Sequence, residues 1–271
     1  MGDIAVEPVT LRPSGFSFEN CARNVALEKI GVVGPRKTKT GTTIVAAIYK
    51  DGVVLGADSR ATGGNIIADK HCMKVHKLTD SIFAAGAGTA ADMDQVMNMV
   101  SAQLKLLELN TGRKARVAAA IRIAKQHLFK YQGYVECWLL IGGVDSTGPH
   151  LADVSARGSS SVLPYLADGS GSLAAIAVLE AEYRADMTEE ECAALVQKAI
   201  TTGMHGDLMS GNSLNYVIIK KDSAEFKNWI VPDFCGDGKR DLSYQFPPKA
   251  TTVLKVKEKK YDVLESMEVD S

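Results

Sequence analysis

Residues 42–59 read TTIVAAIYKDGVVLGADS, and their pattern decides the fold. Residues 42–49 are β-branched and apolar. Lys50-Asp51-Gly52 is a turn signal with Asp-Gly at its centre, and residues 53–59 are a second apolar run. Together they predict a hairpin. Working outward, further strands are expected at 65–68, 72–77 and 81–87. The period then switches. Met93, Val96, Met97, Val100, Leu104 and Leu107 recur at helical spacing until Asn110-Thr111-Gly112. Val117, Ile121, Ala124, Leu128 and Tyr131 mark a second helix, closed by Gly133. The methionines read as core filling.

Strands return at 135–144, 150–155 and 161–167. A third helix opens after Gly171, and a fourth begins at the capping box Thr188-x-x-Glu191. The last long apolar run is 214–221. Strands and helices thus alternate in blocks rather than one by one. That predicts an α+β chain of sheets packed on each other with helices outside, not a doubly wound nucleotide fold.

The flanks differ from this core. Residues 1–41 carry two prolines in the first 13 positions, a patch at Phe16 and Phe18, and the basic run Arg36-Lys37-Thr38-Lys39. They have too few apolar groups for a core and read as an extended arm. The tail beyond Lys221 holds Trp229, Ile230, Val231 and Phe234, sparse apolar groups suited to docking on a neighbour.

Composition excludes several classes. The chain has 31 basic against 32 acidic residues, so charge gives no reason to expect nucleic acid or a membrane surface as partner. No apolar stretch is long enough to span a bilayer. Asp3, Glu7 and Pro8 interrupt the start, where a secretory leader would need an apolar segment. The five cysteines form no C-x-x-C pair and read as reduced thiols. The five histidines lack ligand spacing, so neither a metal nor a cofactor is expected.

Gly86-Ala87-Gly88-Thr89 and Gly169-Ser170-Gly171-Ser172 precede helices. The first lacks a third glycine and a phosphate-loop lysine, and the second does not match G-x-S-x-G. Read bare, both are tight turns. Gly41-Thr42-Thr43 is more informative. Threonine is a weak nucleophile without a base, but an N-terminal threonine carries one in its α-amine, whose ordinary pKa is about 7.7–8.0. A cut after Gly41 would create that amine, but from these three residues alone an ordinary β-branched strand start is the favoured reading. Asp58 and Lys74 are charges on core-forming segments, where a charge is rarely buried without a partner.

Taken in order, Gly41-Thr42-Thr43-Ile44, Gly56-Ala57-Asp58-Ser59-Arg60, Lys74, Gly86-Ala87-Gly88 and Gly169-Ser170-Gly171-Ser172 resemble the catalytic beta subunits of the eukaryotic 20S proteasome. The register holds over nearly all of 42–221. Gly15-Phe16-Ser17-Phe18-Glu19-Asn20-Cys21 in the arm, Tyr131-Gln132-Gly133-Tyr134 and Thr147-Gly148-Pro149-His150-Leu151 are similar to its trypsin-like, type-7 branch.

The resemblance implies an N-terminal-nucleophile hydrolase, a four-layer αββα sandwich of two antiparallel sheets between helix pairs. It implies a propeptide, 1–41, removed by autolysis between Gly41 and Thr42; a catalytic domain, 42–221; and an extension, 222–271, contacting a neighbouring subunit. Thr42 would be the nucleophile, with Asp58 and Lys74 favouring its deprotonation and the Gly88 N–H meeting the oxyanion. Ser170, Asp207 and Ser210 would hold the amine and its water. Gly86 would leave the specificity pocket deep and Asp94 would lie towards its floor, suiting Arg or Lys before the cut bond, while Thr62 and Ala90 would bind substrate main chain. Partners would be other alpha and beta subunits in stacked rings with two copies of this chain, substrates unfolded polypeptides, and location cytoplasm and nucleus. The alternatives are a non-catalytic assembly subunit of the same ring and a small-molecule amidohydrolase. Thr42, Asp58 and Lys74 together speak against the assembly subunit, and the ring-subunit resemblance against the amidohydrolase.

Overall fold

A computed structural model of the 271-residue chain describes residues 17–32, 40–235 and 255–261. The start of the arm motif at Gly15-Phe16, the basic run 36–39 and most of the tail beyond 235 lie outside the described residues. Helix α1 is Glu19–Lys29. Strands β1 (Thr43–Tyr49), β2 (Gly52–Asp58), β3 (Ala61–Gly63), β4 (Ile66–Asp69), β5 (Val75–Lys77) and β6 (Ile82–Gly88) follow. Helices α2 (Ala90–Thr111) and α3 (Val117–Tyr131) lead to β7 (Cys137–Asp145), β8 (Gly148–Val154), β9 (Ser160–Val162) and β10 (Tyr165–Gly169). Then come α4 (Ser172–Glu182), α5 (Glu189–Gly206), β11 (Leu214–Ile219) and β12 (Ala224–Ile230). These elements lie in one unit, and the residues beyond 236 form another, in which 255–261 have no regular secondary structure.

The predicted hairpin is the centre of the first sheet, whose order is β10-β1-β2-β11-β12. The second sheet runs β5-β6-β7-β8-β9, and β3 and β4 pair apart from both. All observed pairings are antiparallel. Side chains alternate across a strand, so β1 serves two cores at once. Ile44 and Ala46 enter the layer between the sheets, with Leu55, Phe83, Leu140 and Val217. Val45, Ala47 and Tyr49 face α4 and α5. Helices α2 and α3 cover the far face of the second sheet through Val96, Val100, Leu104, Ala120 and Leu128. This is the expected αββα sandwich. A strand buried on both faces must be apolar throughout, which is why 43–49 shows no polar alternation. Truncating a fully buried leucine such as Leu104 or Leu140 costs about 2–5 kcal/mol.

Local signals act as read. Helix α5 starts with both halves of the capping box, Thr188 Oγ accepting from the Glu191 N–H and Glu191 accepting from the Thr188 N–H. Helix α2 ends at Gly112, left-handed at φ 64°.

Four expectations need correction. The run 161–167 is not one strand: β9 ends at Val162 and β10 begins at Tyr165, in different sheets. Pro164 lies in the gap, and it has no N–H to donate to a ladder. The run 72–77 pairs only from Val75. The arm is not extended throughout, because Glu19–Lys29 is helical, although none of its residues is buried. The sheet also continues past Lys221. Strand β12 adds an edge to β11, with a bulge at Trp229, left-handed at φ 60°, whose N–H is accepted by the buried Asn215 side chain. Ile230 packs on the α5 side, so this part of the tail belongs to the sandwich.

Candidate active site

The two sheets meet at an open mouth, and each contributes one half of a buried charge pair. The hairpin register places Asp58, the last residue of β2, beside Thr43, whose N–H donates to Asp58 Oδ1 at 2.9 Å. Lys74 comes from the other sheet, just ahead of β5, with its carbonyl accepting from the Gly86 N–H. Lys74 Nζ donates to Asp58 Oδ1 at 2.8 Å and to Thr42 Oγ at 3.1 Å. Asp58 is 0% exposed and Lys74 3%. A buried carboxylate needs all its lone pairs engaged. Asp58 Oδ2 accordingly accepts from the Arg60 and Gly211 amides, each at 3.1 Å.

Thr42 precedes β1 and is still joined to Gly41. Its Oγ donates to the Gly41 carbonyl oxygen at 2.6 Å, and Lys74 Nζ reaches the same oxygen at 3.4 Å. The Gly41 N–H donates to Thr62 Oγ, and Thr40 Oγ to the Gly88 carbonyl. A Cβ at Gly41 would stand 1.9 Å from Met209 Cβ, so only glycine fits before the threonine in this arrangement.

On the other side, the Thr42 N–H donates to Ser170 Oγ at 3.0 Å. Ser170 sits in the turn between β10 and α4. Gly169 takes φ +93° there, and a Cβ on it would meet the Thr42 carbonyl oxygen at 2.1 Å. Asp207 closes α5 and accepts from both the Ser170 and Ser210 hydroxyls, and Ser210 also accepts from Thr43 Oγ at 2.8 Å. Burial works against the Asp207 charge, but these hydroxyls and the Met209 N–H outweigh it and hold the carboxyl below its usual range.

The structure therefore brings Gly41, Thr42, Asp58, Thr62, Lys74, Ser170, Asp207 and Ser210 together. Gly88, left-handed at φ +127°, lines the same cleft as Thr42. Ala90 and Asp94 lie exposed on the first turns of α2, and the Asp94 carboxylate acts on His76 and Cys72, the latter two residues from Lys74. Gly86 does not open onto empty space: a Cβ there would meet Met93 Sδ at 2.5 Å, so Met93 fills the room the glycine leaves. Sequence reasoning gave no role to Thr43 or Arg60, though both stand in the motifs quoted above, and did not pick out Gly211. The second threonine of Gly-Thr-Thr was a signal for the first of these; Gly211 donates only a backbone amide, which no side-chain pattern reports. Among the described residues no cluster of His, Cys, Asp and Glu could hold a metal ion, and no helix is long and apolar enough to cross a membrane.

The sequence matches the family described as Proteasome subunit over residues 38–219. It is 47% identical over 247 residues to proteasome subunit beta type-7 of Dictyostelium discoideum, covering 90% of this chain and 92% of the relative. The chain belongs to the proteasome beta-subunit family. This beta subunit is also 49% identical over 220 residues to proteasome subunit beta type-7-B of Arabidopsis thaliana, covering 81% of this chain and 80% of the relative. Proteasome subunit beta type-10 of Bos taurus is 44% identical over 252 residues, 92% of each chain. The match spans the site from Gly41 to Asn215.

Proposed function

We propose that this beta subunit is a threonine endopeptidase of the 20S proteasome core, formed as a precursor that cuts its own Gly41–Thr42 bond. The observation that carries the proposal is the triangle of Thr42 Oγ, the Gly41 carbonyl oxygen and Lys74 Nζ, at 2.6, 3.1 and 3.4 Å. Lys74 is positively placed to favour charge on Oγ and on the carbonyl oxygen as a tetrahedral centre forms. A bond forms from Oγ to the Gly41 carbon, the carbon–nitrogen bond breaks, and the Oγ proton ends on the Thr42 nitrogen. That break frees the α-amine, ordinarily titrating at about 7.7–8.0; water then hydrolyses the ester, releasing the arm with a Gly41 carboxylate and returning the Thr42 hydroxyl, and the amine serves as base towards foreign peptides. Ser170, Asp207 and Ser210 hold that amine, and Gly88 is the oxyanion donor.

Cleavage after Arg or Lys is the proposed preference, with Asp94 as the acidic group and Thr62 and Ala90 as main-chain contacts. The entering side chain then has to displace Met93, an unbranched residue suited to such movement. The partners are other alpha and beta subunits, with two copies of this chain per particle, and unfolded polypeptides as substrates. Exposed Trp229, Val231 and Phe234 support a contact between the tail and a neighbouring subunit. The cytoplasm and nucleus are the proposed location; the five free cysteines are in keeping with it. A peptidase assay on particles carrying Thr42→Ala tests the assignment. Cleavage after basic residues should vanish while the other activities of the particle persist; unchanged cleavage would make the chain an assembly subunit.

A further inference from the structure

Asp207, Ser210 and the Gly211 N–H all reach the site from one loop, residues 207–213, between α5 and β11. Nothing apolar anchors it. No apolar side chain from His205 to Ser213 is buried, and Leu208 is 93% exposed. The place of the loop therefore depends on polar bonds, and those beyond the reacting groups converge on Asn212. This residue is left-handed at φ +69°, a backbone that glycine adopts more readily. Its side chain supplies the reason for asparagine, because Oδ1 accepts from Arg60 Nε at 2.8 Å. Arg60 lies between β2 and β3. Its Nη1 donates to the Leu208 carbonyl oxygen at 2.7 Å, and its own N–H to Asp58 Oδ2, the oxygen that also takes the Gly211 N–H. A Cβ on Gly211 would stand 2.5 Å from Arg60 Nη2, so the guanidinium lies against the loop between these two bonds. The arginine fork is rigid, and through it both ends of the stretch 208–212 are fixed relative to Asp58. The Asn212 N–H in turn donates to the Cys235 sulfur, and Phe234 packs edge-on against His205, with ring centroids 5.2 Å apart.

We infer that Asn212 is a positioning residue for peptide cleavage: bonded to Arg60, it holds the loop so that Asp207 and Ser210 stay in place beside the Thr42 nitrogen. This rests on the endopeptidase reading above and adds to it a residue that touches no reacting atom. A left-handed backbone on a residue with a side chain is strained, and it persists where the surrounding bonds over-determine it, as the bonds from Arg60 and to Cys235 do here. The Arg60 bond acts on the placement of the groups around the nucleophile. It therefore bears on the chemical step, and on kcat, rather than on affinity for the substrate.

The test uses assembled particles and the aminocoumarin amide of an Arg-ended peptide. Rates are the part lost in Thr42→Ala particles, per chain found by intact mass to begin at Thr42. Asn212→Gly keeps the left-handed backbone and removes the acceptor for Arg60; Asn212→Asp keeps both. The glycine variant should lower kcat by about tenfold with KM within about twofold of wild type. The aspartate variant should stay within about threefold of wild type in both. In an Asp207→Asn background the glycine substitution should cost about twofold or less, because the group it places is already gone. A fold that was merely loosened would lose the same factor in both backgrounds. Wild-type particles whose cleavage of the amide does not depend on Thr42 overturn the protease reading and this inference with it. With that cleavage intact, a glycine variant as fast as wild type, one that changes KM alone, or one whose loss is undiminished in Asp207→Asn particles overturns the inference alone. So does an aspartate variant as slow as the glycine one. A glycine variant that fails to assemble would make Asn212 structural and overturn it too.

Discussion

Asp58 and Asp168 flank the same threonine, and their surroundings differ in every respect that governs a charge. Asp58 is sealed, and both its oxygens are saturated by Lys74 and by three backbone amides, of Thr43, Arg60 and Gly211. Asp168 borders an open cleft and accepts one amide from Gly169. The comparison shows how one mouth between two sheets can hold one carboxylate fully engaged and another that burial works against. A buried pair costs desolvation and contributes little net stability, but removing one partner strands the other.

The largest effect should come from breaking the sealed side. Lys74→Ala leaves Asp58 buried without its cation, a loss of about 3–5 kcal/mol in stability, and removes the group beside Thr42 Oγ. Self-cleavage and peptidase activity should both fall by about a thousandfold or more. Retained processing in this variant would mean that Lys74 is structural. Next is Gly169→Ala, which forces a left-handed residue with a Cβ 2.1 Å from the Thr42 carbonyl. Particles carrying it should hold unprocessed chain, read by gel or mass.

Asp207 sharpens the comparison through pH. Its carboxyl is held low in the folded chain, so its contribution is present above the unfolded value of 3.8 and is lost as pH falls through the lower folded value. Asp207→Asn should therefore narrow the gap to wild type in acid unfolding below about pH 4 and slow cleavage by about 10–100-fold at neutral pH. Asp168 has the opposite sign. Its folded value is raised, so its contribution is full below 3.8 and is lost as pH rises through the folded value. Asp168→Asn should raise the unfolding midpoint at pH 7 by about a degree or two and do nothing near pH 3. Equal effects at both pH values would show that the carboxylate is not strained by burial.

Much of this was legible in the sequence because the residues involved announce themselves locally. Gly-Thr-Thr at the head of an apolar strand, Asp58 at the end of its partner and Lys74 on a third segment are unusual charges and hydroxyls on core-forming stretches. The capping box at Thr188 and the stop at Gly112 are equally local. What escaped depended on distance in sequence. The division of 161–167 between two sheets turns on Pro164 and on which strands lie opposite. Strand β12, AEFKNWI, carries Glu225, Lys227 and Asn228 and exposes most of its length, so it lacks the apolar run that marks β11. Helix α1 buries nothing, so no periodic apolar face reveals it. Met93 opposite Gly86 joins a helix to a strand, and the Gly211 amide at Asp58 joins positions 153 apart.

The central claim is that the Thr42, Gly41 and Lys74 geometry is a bond about to be cut. Intact mass of the subunit from purified particles tests it most directly. The account predicts a chain that begins at Thr42 and has lost residues 1–41, with Thr42→Ala subunits keeping Gly41 joined to residue 42. A wild-type subunit that retains the arm, or that begins at Thr43, would contradict it.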